Sequence, residues 1–134
     1  MSSKKFFLLN ISFVLVLTLI AKAKVFGNSK VIAEIIDDIN MDGLRILNDK
    51  IKEKEKSVVI VLATKDGEKA SFITSLTEDL AKKDLDAGAI AKEVAGLIDG
   101  SGGGKPNFAQ GGGKSPDKLA GALKKITEII AKSF

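Results

Sequence analysis

The stretch that decides this chain is DGSGGGKPNFAQGGGKSP, Asp99 to Pro116. Two glycine triplets, Gly102 to Gly104 and Gly111 to Gly113, flank the core Pro106-Asn107-Phe108-Ala109-Gln110, and each triplet is followed by a lysine, Lys105 and Lys114. Residues without a Cβ reach positive φ and let ligand oxygens approach the backbone, so clustered glycine N–H groups can converge on a sugar or phosphate. A flexible linker would use the same glycines. It would have no need of Phe108, Ala109 and Gln110, which read as a short strand between them.

Two nucleotide-binding frames fail on this stretch. A P-loop needs G-x-x-x-x-G-K-[ST] opening a helix. Counting back from Gly113-Lys114-Ser115 puts Phe108 at the first glycine, and counting back from Gly104-Lys105 puts Asp99 there, with Pro106 after the lysine. The dinucleotide pattern G-x-G-x-x-G needs a strand before it and a helix directly after it. Here a helical segment precedes the glycines.

The order Gly-Gly-Gly-Lys-Pro-Asn-Phe-Ala-Gln-Gly-Gly-Gly-Lys-Ser-Pro, residues 102–116, resembles the C-terminal, DHH-associated domain of alanyl-tRNA synthetases. That family carries a glycine run, Arg or Lys, Pro, Asp or Asn, an apolar residue, then Ala-Gln-Ala-Gly-Gly and a polar step into the last helix. This chain departs at Ser101, where a further glycine is usual, at Lys105, where arginine is commoner, and at Gly111, where alanine is usual. Lys105 keeps the charge but loses arginine's planar fork. The resemblance covers roughly residues 27–134. It implies a module that binds tRNA, alanine-specific in that family, that brings aminoacylation and editing domains together, and that in some members forms a homodimer. The family's ATP, alanine and zinc-dependent editing sites lie in domains outside the matched region. By resemblance the chain is therefore a binding module with no catalytic residue, cofactor or metal of its own, and its location is cytoplasmic.

Composition bounds the rest. The 134 residues suit one domain and include neither cysteine nor histidine, which excludes disulfides, thiolate nucleophiles, zinc sites of the usual kind and imidazole catalysis. The net charge of +4 is unevenly spread. Residues 1–24 hold four lysines and no acid, residues 25–100 hold 11 basic and 15 acidic groups, and residues 101–134 hold six basic and two acidic. Positive charge thus gathers at the glycine stretch and the last helix, which suits a polyanion meeting one face. An ordinary solvated lysine-rich helix would give the same count.

Met1 to Lys5 is basic, Phe6 to Ala21 is an uncharged apolar run of 16 residues, and Ala21-Lys22-Ala23 has the form of an A-x-A cleavage site. This predicts a secreted, membrane or organelle-directed leader, or a segment unrelated to the domain; residues 1–26 are read as outside the fold. Beyond it, Lys30 to Ile36 reads as a strand. Asn40 or Asp42 caps a helix over Met41 to Lys54, which puts Leu44, Leu47 and Ile51 on one face and turns Arg45, Lys52 and Glu55 outward. Ser57 to Ala63 is continuously apolar and predicts a central strand, paired through Lys65-Asp66-Gly67 with Lys69 to Leu76. A short helical turn near Thr77 to Leu80 and a helix over Ala87 to Ile98, capped by Asp86, follow. The last helix is capped by Ser115 with Pro116 at its first position, and buries Leu119, Leu123, Ile126 and Ile130. The predicted fold is α/β (α+β): a small mixed sheet with three helices, in the order β-α-β-β-α-glycine-rich loop-α.

The candidate RNA-binding residues are Gly102, Gly103, Gly104, Lys105, Asn107, Phe108, Gln110, Gly111, Gly112, Gly113, Lys114 and Lys118. Glycine N–H groups would meet sugar or phosphate oxygens, with the three lysines supplying charge. Phe108 either stacks on a base or fixes the loop to the sheet, and Gln110 either reads a base edge or ties the loop's own backbone. Two other classes are open. One is the substrate-binding half of a phosphoesterase whose metal domain would be a separate partner. The other is a dimerisation module.

Overall fold

A computed structural model describes residues 13–83 and 85–134. Helix α1 occupies residues 13–21. Then follow β1 (Lys24–Phe26), β2 (Ser29–Ile35), α2 (Met41–Lys54), β3 (Val58–Asp66), β4 (Lys69–Leu76), α3 (Glu78–Ala81), α4 (Ala87–Leu97), β5 (Gly100–Gly104), β6 (Phe108–Gly113), a 3-10 turn (Pro116–Lys118) and α5 (Leu119–Ala131). One six-stranded sheet runs β1-β2-β3-β4-β6-β5. Only β2 and β3 are parallel, because α2 carries the chain back between them, and the other neighbours are antiparallel.

β3 organises the core. Its residues Val58 to Thr64 are all buried, and their side chains alternate between two clusters. Val59, Val61 and Ala63 join Phe72, the buried faces of α4 and α5, and Val31. Val58, Ile60 and Leu62 join Ile73, Leu44, Leu47 and Ile51 of α2, and Val16 and Leu19 of α1. The sheet is therefore covered on both faces, which is why this strand is an unbroken apolar run. Asn40 caps α2 by accepting from the Gly43 N–H at 2.9 Å, and Asp86 caps α4 by accepting from the Ala89 N–H at 3.1 Å. Polar atoms inside the layers find partners: the Ser75 hydroxyl bonds the Asn48 amide oxygen, and the Thr74 hydroxyl donates to the Ala87 carbonyl at 2.8 Å.

Three expectations are corrected. Where the predicted order has a glycine-rich loop there is a β-hairpin: Phe108 to Gln110, read as a short strand, extends to Gly113 as β6, and Gly100–Gly104 adds the unexpected strand β5. Glycine carries no side chain to alternate, and the strand period was invisible there. The sheet also takes in Lys24–Phe26, before the expected boundary at residue 27, and α1 puts Val16 and Leu19 into the core. The basic start of the expected leader, and its apolar run as far as residue 12, lie outside the described residues. Third, Ser115 makes no side-chain cap; its hydroxyl donates to Asp99 Oδ2 at 2.5 Å. Among the described residues no helix is long and apolar enough to cross a membrane.

Candidate functional site

The hairpin β5–β6 forms the far edge of the sheet, with Gly102 opposite Gly111, Ser101 opposite Gly112 and Gly103 opposite Gln110. Antiparallel partners alternate between hydrogen-bonded and non-bonded pairs. The Lys105 N–H donates to the Phe108 carbonyl at 2.9 Å, which places Gly103–Gln110 and Ser101–Gly112 in the bonded set. On the other side of β6, the Leu76 N–H donates to the Asn107 carbonyl at 3.2 Å, so Gly111 and Gly113 bond β4. The whole second triplet is thus committed to ladders. Gly102 and Gly104 alone among the six sit at non-bonded positions on the outer strand β5, and the Gly104 carbonyl oxygen lies against Gly88 of α4, so a cradle built from both triplets does not form.

Packing accounts for several of these glycines. α4 lies on the hairpin with its small residues Ala87, Gly88, Ala91 and Ala95 inward. A Cβ on Gly88 would stand 2.8 Å from the Gly104 carbonyl oxygen. The Ala87 N–H donates to the Pro106 carbonyl at 2.7 Å, fixing the start of α4 against the hairpin turn.

The lysines expected to act together are separated. Lys105 follows β5 at the turn end and Lys114 follows β6 at the opposite end, about 20 Å apart for six strand residues. Lys118 is paired: its Nζ lies 3.0 Å from Asp99 Oδ2, on which the Ser115 hydroxyl also bonds. That hydroxyl first, and then the Lys118 ammonium, hold the Asp99 carboxyl below the ordinary carboxylate range. Asp99 has φ 56, the left-handed conformation that ends α4 and that aspartate tolerates better than most residues.

Phe108 is half-buried and packs against the cluster under α2. Gln110 is exposed, and its Oε1 accepts from Arg45 Nη2 of α2 at 2.6 Å. Gln110 therefore ties the hairpin to α2, and not to its own loop. Arg45, which the sequence placed only on a solvated helix face, borders the hairpin. No local signal marks a pairing across 65 positions. Asn107, in the turn, is exposed. Among the described residues no group of three or more acidic, cysteine or histidine side chains is arranged to hold a metal ion.

A two-faced, mixed-sheet α/β module edged by a glycine hairpin is the class that this fold and hairpin define. The chain belongs to the DHHA1 domain family, whose model matches residues 28–132. It is 41% identical over 112 residues to an alanine–tRNA ligase of Natranaerobius thermophilus, covering 84% of this chain and 13% of that protein. It is 45% identical over 100 residues to the alanine–tRNA ligase of Halalkalibacterium halodurans, covering 75% of this chain and 11% of that protein. The crystal structure of the C-Ala domain from Aquifex aeolicus alanyl-tRNA synthetase superposes with a TM-score of 0.74 at 30% identity, over 82% of this chain and 98% of that one. The chain thus spans about an eighth of the length of the curated relatives it matches, and almost the whole of the C-Ala domain.

Proposed function

We propose that this chain is a tRNA-binding module of the C-Ala type, which presents the glycine hairpin and its neighbours to alanine tRNA. The observation that carries the reading is the coverage of 98% of the C-Ala domain at 30% identity, together with the hairpin residues 102–116 shared in pattern with that family. Gly102, at a non-bonded position on the outer strand β5, offers backbone groups to sugar or phosphate oxygens. Lys105 at one end and Lys114 at the other supply charge to two separate points of the RNA. Asn107 at the turn, the half-buried Phe108, and Gln110 with Arg45 beside it complete the surface.

On this reading the chain itself carries no ligase chemistry; aminoacylation and editing belong to synthetase domains, which are its proposed protein partners. The cytoplasm, where the tRNA resides, is its proposed location. Mobility-shift binding of the full chain to an alanine tRNA transcript and to an unrelated tRNA tests the reading. Preference for the alanine tRNA is expected, and absence of binding to either contradicts it.

A further inference from the structure

α5 turns its buried face, Leu119, Ala122, Leu123, Ile126, Thr127 and Ile130, to the sheet. Its outward face carries Lys124, Lys125 and, just beyond its end, Lys132, all exposed. None of the three has a carboxylate within ion-pair distance among the described residues, whereas Lys118 at the helix start is held by Asp99. Gly121 and Lys125 share one helical stripe with Lys118 and Lys132, and Lys124 flanks it. Glu128 is the acid on that stripe.

Gly121 is the second, independent observation. It is exposed in the first turns of α5, and a Cβ placed there would meet nothing within 4 Å. Glycine is a poorer helix former than alanine, and no side chain packs against this position in return. Bare backbone between lysines does serve a ligand that approaches the helix closely from outside.

We infer that the outward face of α5, Lys124, Lys125 and Lys132 around Gly121, is a second binding surface for the phosphodiester backbone of RNA. The inference rests on the tRNA-binding reading and adds to it a second surface. Lys125 and Lys132 stand about 10 Å apart along the helix, so each meets a different phosphate. Such pairings carry no sequence preference; they add affinity and orient the RNA on the domain.

The test uses the full chain, an alanine tRNA transcript and a salt series. The triple variant Lys124→Gln, Lys125→Gln, Lys132→Gln is expected to lower the slope of log affinity against log salt by about 2, at roughly 0.7–0.9 for each phosphate no longer neutralised. Gly121→Ala is expected to melt at a higher temperature than the parent and yet bind several-fold more weakly, a split that a purely structural glycine would not give. An unchanged slope in the triple variant overturns the inference, as does Gly121→Ala binding as tightly as the parent. If Lys105→Ala weakens binding while the triple variant does not, the RNA reading stands and the α5 surface falls. If the parent binds no RNA, both fall.

Discussion

Phe72 and Gly111 face each other across β4 and β6, and the tip of the Phe72 ring stands 2.6 Å from where a Gly111 Cβ would sit. The ring is fully buried, so it fills the volume that the missing methyl leaves. Glycine at this position is explained by packing before any ligand is considered.

Gly111→Ala, which restores the residue usual in the resembling family, should destabilise this chain by about 1–3 kcal/mol through overpacking. Adding Phe72→Leu should recover part of that loss. A double-mutant cycle by urea denaturation measures the coupling, and strictly additive losses would show that the ring is not the obstacle.

Leu19 lies on the buried face of α1, against the cluster under α2. Leu19→Ala should cost about 2–5 kcal/mol, the usual range for a large core side chain cut to alanine. A thermal melt equal to the parent's would place α1 outside the cooperative fold.

Arg45 and Gln110 are both exposed, so their hydrogen bond contributes little to stability. Gln110→Ala should leave the melting temperature nearly unchanged and weaken tRNA binding by a few-fold. Equal binding would confine Gln110 to tying the hairpin to α2.

The Asp99 carboxyl is held below its ordinary value by the Ser115 hydroxyl and Lys118. A depressed carboxylate contributes its stability above the unfolded-state pKa, near 3.8 here, and that contribution is lost as pH falls through the lower folded value. The joint between the hairpin and α5 should therefore loosen only in acid below the usual carboxylate range. Asp99→Asn keeps the left-handed backbone and should remove this acid-dependent step. A carboxyl NMR titration of Asp99 with a midpoint at or above the ordinary value would contradict the prediction.

Much of the scaffold was legible because burial leaves a period. Leu44, Leu47 and Ile51 located α2 between its observed ends, and the unbroken run at Val58 to Ala63 marked a strand covered on both faces. Strand β5 was not legible, since Gly102 to Gly104 alternate nothing and are held in place by β6 and α4, whereas Phe108 to Gln110 marked the start of β6. The part played by α1 was hidden for the opposite reason. Its residues are apolar on every side, so the pattern of a leader and that of a core helix coincide. At the candidate site the sequence singled out the stretch from Asp99 to Pro116, but not its hairpin form, the separation of Lys105 from Lys114, the pairing of Lys118 with Asp99, or the approach of Arg45. These depend on register and on residues distant in sequence meeting in space.

Whether the hairpin is the tRNA-binding surface is decided by amide chemical-shift mapping of the full chain, labelled with nitrogen-15 and titrated with alanine tRNA. The largest perturbations are expected at Gly102, Gly104, Lys105 and Lys114 of the hairpin, extending along the outward face of α5 around Gly121 and Lys125. Perturbations confined to surfaces away from the hairpin, or none at saturating tRNA, would contradict it.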